Sequence, residues 1–315
     1  MKIALDEAAK IIGDAQTIIL TAHIRPDGDA IGSTLGLMHY LREQGKDARV
    51  LIDDEIPRIF NVLPGVEQIE RPAEGQRYTA DLLIVCDVEL KRTGAVLDAV
   101  DAVRVLNIDH HVTNDEAAEY LYLNPDYAAT CEIMHDLVRT MGGTFTLDVA
   151  TCLYTGMATD TGFFRFSNTT PHTMRAAADL VEVGVRPNII SVAMEMKSYD
   201  EVMAQVRSIR NLEMFYDGKV AAVFIDEERA KEVTTTEGLL DKLRVIEGTQ
   251  VVFFMKWLEK DTYRISMRSK GTNVSRIAQK FDGGGHIRAA GCTIHAPFAE
   301  ARTAILDAIG EELNA

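Results

Sequence analysis

No apolar run in these 315 residues approaches the roughly 20 that a helix needs to cross a bilayer, so a membrane-spanning role is not expected. Cysteine is sparse. Cys86, Cys131, Cys152 and Cys292 lie far apart with no CxxC pair, each among apolar or small residues. That context implies buried plain thiols and a reduced, cytoplasmic setting. Positive charge is also short, since 33 Lys and Arg face 48 Asp and Glu, for a formal net charge of −15. Proteins that grip long duplexes do so through many Lys and Arg contacts to phosphate, so that class is excluded, whereas small phosphorylated ligands are not. Low-complexity tracts and internal repeats are absent. The opening stretch MKIALDEAAKIIGDAQ has the period of an amphipathic helix and carries acidic residues, unlike a secretory signal.

What remains is an ordinary globular composition, 47% apolar, with length for about two domains of roughly 150 residues. From Thr17 to about Phe166, short β-rich runs at 17–21, 48–52, 82–86 and 104–108 alternate with helical stretches, Asp29–Gln44 being the first. This pattern predicts an α/β fold whose N-terminal sheet is mostly parallel and flanked by helices. Helical periodicity covers Ala128–Met141, Leu147–Ala158, Pro171–Val183 and Pro187–Arg210, the last as a connector. After Asn211 the character changes to a hairpin at Asp217–Gly218, a helix near 237–246, strands at 250–257 and 262–268, and helices at 273–281 and 298–312. A smaller C-terminal α/β domain with a mixed sheet is expected, with domains at 1–190 and 211–315 joined by a helical connector at 191–210.

His and Asp recur just after the apolar runs. His23, Asp27 and Asp29 follow TIILTA, Asp87 follows LLIVC, Asp109, His110 and His111 follow VRVLNI, and Asp160 ends TCLYTGMAT. A parallel sheet brings such residues together at the carboxyl ends of its strands. The segment HIRPDGD reads equally as an Asx-turn with Asp29 as helix N-cap, and an isolated Asp87 as the start of a turn. Two adjacent imidazoles beside carboxylates favour a site over a structural role. Asp160 closes a helix, where its charge opposes the dipole unless a cation compensates. Asp27, Asp29, Asp87 and Asp160 balance the charge of two divalent cations, while His23 and His110 add neutral nitrogen ligands. Mixed imidazole and carboxylate donors suit Mn²⁺, Co²⁺ or Fe²⁺ better than an all-oxygen Mg²⁺ cage. Two such ions about 3.5–4 Å apart can ready water for attack at phosphorus. Farther on, FDGGGHIRAAG gives a glycine turn with His286 and Arg288, and Arg264, Arg268 and Lys270 recur at a two-residue period that makes one strand face cationic.

Taken in order, H-x-x-P-D-G-D-A-x-G-S, Asp87, D-H-H at 109–111, T-D-T-G-x-F, R-S-K and G-G-G-H-x-x-A-A-G make the chain resemble the DHH phosphoesterase family over nearly its whole length. Within the family it is similar to the nano-RNases, which hydrolyse short oligoribonucleotides and dephosphorylate 3′-phosphoadenosine 5′-phosphate (pAp). The resemblance implies that His23, Asp27 and Asp87 hold one metal ion and that Asp29, Asp87, His110 and Asp160 hold the other, with Mn²⁺ expected and Mg²⁺ or Co²⁺ as alternatives. It further implies that His111 faces the scissile phosphate, that Asp109 supports it, and that Arg268, Gly284, Gly285 and His286 anchor the substrate in a cleft between the domains. Short single-stranded oligonucleotides, dinucleotides and pAp are the implied substrates, and a homodimer the implied assembly. Family members often have Gly where this chain has Asp282. Cyclic- or linear-dinucleotide phosphodiesterases and RecJ-like exonucleases are the rival enzymes. A pyrophosphatase is disfavoured by the GGGH segment, and a catalytically inactive nucleotide-binding regulator by the full set of ligands.

Overall fold

The structure, a computed structural model, describes residues 1–233 and 238–314. Residue 237, where one helix was expected to start, and residue 315 lie outside these. The chain divides into two units, Met1–Met196 and Lys197–Ala315. Among the described residues no helix is long and apolar enough to cross a membrane.

The N-terminal unit runs α1 (Leu5–Asp14), β1 (Thr17–Thr21), α2 (Gly28–Glu43), β2 (Asp47–Val50), β3 (Tyr78–Cys86), α3 (Val96–Ala99), β4 (Val100–Asp109), β5 (Tyr120–Leu123), α4 (Thr130–Thr140), α5 (Leu147–Asp160), α6 (Pro171–Val183) and α7 (Pro187–Glu195). Its five strands pair in the order β2-β1-β3-β4-β5, every pair parallel. The strands read as unbroken apolar runs because both sheet faces are covered. Ile18, Leu20, Leu82, Ile84, Leu106 and Ile108 pack into one core with the apolar faces of the helices. The intervening Ile19, Leu83 and Val85 join Leu51, Val88 and Val96 on the other side. Chain order reverses between β1 and β3, so loops leaving their carboxyl ends diverge and open a crevice there. Helices α2 and α5 approach closely, since a Cβ on Gly32 would lie 2.5 Å from the Cys152 carbonyl oxygen.

The C-terminal unit contains α8 (Tyr199–Ile209), β6 (Leu212–Phe215), β7 (Val220–Ile225), α9 (Glu227–Glu232), α10 (Leu239–Arg244), β8 (Val251–Glu259), β9 (Thr262–Ser269), α11 (Val274–Gln279), β10 (Gly284–His286), β11 (Ala289–His295) and α12 (Phe298–Leu313). Its six strands run β10-β11-β9-β8-β7-β6, parallel between β7 and β8 and antiparallel elsewhere. The β6–β7 hairpin turns through Tyr216, Asp217 and Gly218, all at positive φ. One face of this sheet packs on α11 and α12. On the other face, residues from the α8–α10 region cover the β7–β8 half.

Three expectations are corrected. The continuous helix over 187–210 is two helices, because Ser198 starts α8 afresh: its hydroxyl accepts from the Glu201 amide while the Glu201 carboxylate accepts from the Ser198 amide, a capping box. Strand β5 was not anticipated, and its open edge is covered by the chain start, where Ile3 N donates to the Leu121 carbonyl and Leu121 N to that of Met1. The glycine run is an edge strand, β10, paired with the equally unanticipated β11. A Cβ on Gly283 would lie 2.3 Å from the Gly291 carbonyl oxygen, so that glycine serves close packing and not a free turn.

Candidate metal centre

Adjacent strands β1, β3 and β4 deliver His23, Asp87 and the Asp109–His111 triplet at their carboxyl ends, while Asp27 and Asp29 sit at the start of α2 and Asp160 at the end of α5. The structure brings all of these to one place. Donor atoms of His23, Asp27 and Asp87 lie within 4.8 Å of one another, as do those of Asp29, His110 and Asp160, and those of Asp87, His110 and His111. Asp87 therefore stands between two donor groups.

Most of these side chains are held by identifiable partners. His23 Nδ1 bonds the Ile24 carbonyl at 2.9 Å, which leaves Nε2 facing Asp27 (3.9 Å) and Asp87 (3.7 Å). Asp27, not Asp29, is the N-cap of α2, accepting from the amides of Asp29 and Ala30. Asp29 is fully buried and accepts from the Thr130 and Cys131 amides at 2.6 and 2.8 Å, so the start of α4 orients it. Thr130 also donates its hydroxyl to Asp87 at 3.0 Å. Asp109 accepts the amides of His110 and His111 and the His111 Nδ1 proton at 2.8 Å, with Asn114 on its other oxygen. His110 Nδ1 donates to the Tyr127 carbonyl at 3.2 Å. Backbone strain gathers around the site, with Arg25, Asp87, Phe163 and Phe164 at φ between 56 and 65°.

The electrostatics call for cations. Burial and the neighbouring Asp87 push Asp29 up to about 7. Burial and the charge of Asp29 raise Asp160 well above the usual carboxylate range. For Asp87 burial acts upward too, but the neighbouring imidazoles of His110, His23 and His111 outweigh it and hold that carboxyl low. Burial would lower His23, yet Asp87 and Asp27 bring it up to about 9. His110 Nε2 is buried without a hydrogen-bond partner, 3.3 Å from Asp160, 3.5 Å from Asp87 and 3.9 Å from Asp29. An imidazole whose Nδ1 is fixed on a carbonyl and whose Nε2 is orphaned among carboxylates could hold a divalent cation there. The donor set fits divalent cations.

Sequence reasoning missed Thr130, Tyr127, Asn107 and Asn114. Asn107, inside an apolar strand, donates to the Val85 and Val88 carbonyls and accepts from Asn114, which braces Asp109. A lone amide in VRVLNI is the signal that could have found it. In the C-terminal unit, Arg268, Ala289 and His286 form one cross-strand row, and Ser266, Gly291 and Gly284 the next. Arg268 and His286 thus share a face flanking a small residue. Arg264 shares that face, but Lys270 donates to the Ile246 carbonyl and the Thr249 hydroxyl and is held there. Asp282 is exposed at φ 52°, a left-handed corner where glycine is the unstrained choice.

The model described as DHH family, N-terminal domain, matches residues 17–157, and that of the DHHA1 domain matches residues 217–315. A protein of Thermus thermophilus named bifunctional oligoribonuclease and PAP phosphatase NrnA is 35% identical over 301 residues, covering 94% of this chain and 90% of that one. Its namesake in Bacillus subtilis is 27% identical, covering 92% and 93%. The crystal structure of an exopolyphosphatase-related protein from Bacteroides fragilis superposes with a TM-score of 0.89 at 26% identity, covering 98% of this chain and 95% of that one.

Proposed function

We propose, from the premise that this chain belongs to the DHH family, that it is a phosphoesterase dependent on divalent metal, hydrolysing short oligoribonucleotides, dinucleotides and pAp to mononucleotides. The observation that carries this reading is the orphaned His110 Nε2 amid three carboxylates, next to a second donor group that shares Asp87. Names of relatives covering nine-tenths of the chain support the substrate class.

On this reading His23, Asp27 and Asp87 hold one ion, and Asp29, His110 and Asp160, with Asp87 shared, hold the other. When bound, two ions supply Lewis acidity that makes water a stronger nucleophile and offsets charge on the phosphate oxygens. Mn²⁺ suits the mixed nitrogen and oxygen donors. Asp109 fixes His111 through Nδ1, so proton exchange runs through Nε2. Burial alone would lower the His111 pKa, but Asp109 and Asp87 raise it, which keeps the ring in its donor form. As the water oxygen bonds to phosphorus and the ester P–O bond breaks, His111 gives its proton to the departing oxygen. The proton lost by the water leaves to solvent, and the ring is reprotonated after product release. Arg268 and His286 grip a terminal phosphate over Ala289, with the backbone of Gly284 and Gly285 alongside. A net charge of −15 disfavours long polyanions and leaves affinity to a few local contacts. Four buried free thiols accord with a cytoplasmic enzyme.

The test is direct. Purified protein with Mn²⁺ should release phosphate from pAp and mononucleotides from a labelled dinucleotide, and a chelator should stop both. Undiminished turnover after chelation would end the metal-dependent reading.

A further inference from the structure

One loop carbonyl decides how His110 is aimed. Tyr127 O accepts from His110 Nδ1, which fixes the ring's tautomer and turns Nε2 toward the carboxylates. A carbonyl in a connecting loop is not rigid in itself. Here the loop is clamped from outside the donor set. The Ala128 amide donates to Glu132 Oε2 at 2.7 Å, and the Tyr127 hydroxyl donates to Asp136 Oδ2 at 2.7 Å. His172, in the first turn of α6, spans both acids, with Nδ1 2.7 Å from Glu132 Oε1 and Nε2 3.1 Å from Asp136 Oδ2. Asn168 Nδ2 then ties the Ala128 carbonyl to that of Asp160 at 3.2 Å each.

Packing alone does not call for this cluster. Helices α4 and α6 already meet the same core through Ile133, Leu137, Ala176 and Leu180. Glu132 is almost wholly buried, and an ionised carboxylate is costly there unless both oxygens are satisfied. Its two oxygens meet the loop amide and His172, so the bond to the loop that aims His110 is backed from α6.

We propose that Glu132, Asp136 and His172 are positioning residues that clamp the 127–128 loop and thereby set the affinity of the donor group containing His110 and Asp160. The inference rests on the metal-dependent reading above and adds residues that bind no ion themselves.

Three variants of the full chain test it, with Mn²⁺ alone as probe. His172→Ala is the main variant, because that side chain is about half exposed (48%) and its loss leaves the core intact. In a Mn²⁺ titration of metal-free protein, read from the spin signal of free ion, one binding step should weaken roughly tenfold, at the lower end for partners of metal ligands. The other step should stay unchanged. In the metal-free variant, the His110 Nδ1–H resonance should move toward that of an unbonded imidazole N–H as its bond to the Tyr127 carbonyl loosens. Tyr127→Phe, which keeps the carbonyl and cuts only the hydroxyl bond to Asp136, should move both readouts in the same direction by less. His172→Asn, whose amide can still donate to Glu132, should recover part of the lost affinity. Unchanged Mn²⁺ steps and unchanged His110 resonances in both His172→Ala and Tyr127→Phe would overturn the proposal, as would a lowered melting temperature with intact Mn²⁺ affinity. None of these readouts uses substrate. A wild-type chain that binds two ions yet leaves pAp intact would therefore refute the functional reading and leave the clamp standing.

Discussion

Asp109 accepts three bonds from its own successors, the amides of His110 and His111 and the His111 ring, and a fourth from Asn114. It is fully buried, so its charge acts on His111 at short range with little screening. Asp109→Asn keeps the shape but removes that charge and turns an amide N–H toward a donor. Turnover should fall by about 10²–10⁴, the range for a disabled proton transfer, with bound Mn²⁺ largely retained. The pH profile gives the sign: His111 donates only when protonated, so activity is lost as pH rises through its pKa. Without the anion that pKa drops, and the alkaline limb of kcat against pH should move to lower pH. Asp87→Asn differs in kind, because Asp87 belongs to two of the three donor groups. Its loss should exceed the roughly 10–100-fold typical of outer partners and remove bound metal, as elemental analysis of the folded variant would reveal. Full activity in that variant would sink the shared role.

The contact of α2 with α5 places two carboxylates of the candidate centre, Asp29 at the start of one helix and Asp160 at the end of the other. Glycines allow that approach. A Cβ on Gly32 would meet the Cys152 carbonyl, and one on Gly156 would lie 2.2 Å from Cys131 Sγ and 2.9 Å from Asp29 Oδ1. Gly32→Ala should cost about 1–3 kcal/mol in urea unfolding, as overpacking of a tight interface does. Gly156→Ala should in addition weaken Mn²⁺ binding, because it pushes on Asp29; equal Mn²⁺ affinity in the two variants would contradict this. Elements with a strong period were legible in the sequence, since β1, β3 and β4 are apolar on both faces and α4, α5 and α6 repeat at helical spacing. What escaped had weak or local signals. AAGCTIH opens β11 on small residues and has β-branched ones only at Thr293 and Ile294, YLYL forms an edge strand, and Ser198 restarts a helix inside a helical pattern. The residue types gathered at the candidate centre were legible too, because they follow apolar runs. Tyr127 and Thr130 were not, because they act largely through main-chain atoms that carry no sequence signature. The choice of Asp27 over Asp29 as N-cap depended on α4 capturing Asp29, a contact across 101 residues of sequence.

At the scale of the whole chain, an excess of negative charge outside coincides with carboxylates crowded at the carboxyl edge of one sheet. Without cations the fold keeps that crowd by retaining protons. Burial would hold His23 neutral, but Asp87 and Asp27 prevail and raise it from 6.5 to about 9; burial and Asp87 raise Asp29 from 3.8 to about 7. In both cases the folded chain binds protons more tightly than the unfolded one, so stability falls as pH rises. The His23 contribution is fully present below 6.5 and gone above 9, and that of Asp29 is lost between 3.8 and 7. Asp87, whose pKa is lowered, contributes in the opposite sense only in acid, where stability is lost as pH falls below its unfolded value. Metal-free protein should therefore melt at a lower temperature at pH 9 than at pH 6. Divalent ions compete with the same protons, so apparent Mn²⁺ affinity should rise across this window. Binding adds RT ln(1 + [L]/Kd), about 2.7 kcal/mol at a hundred times Kd, so a fixed Mn²⁺ concentration should raise the melting temperature more at pH 8.5 than at pH 6. A Mn²⁺ shift of equal size at both pH values, or metal-free protein that grows more stable toward pH 9, would show that these protons do not stand in for metal.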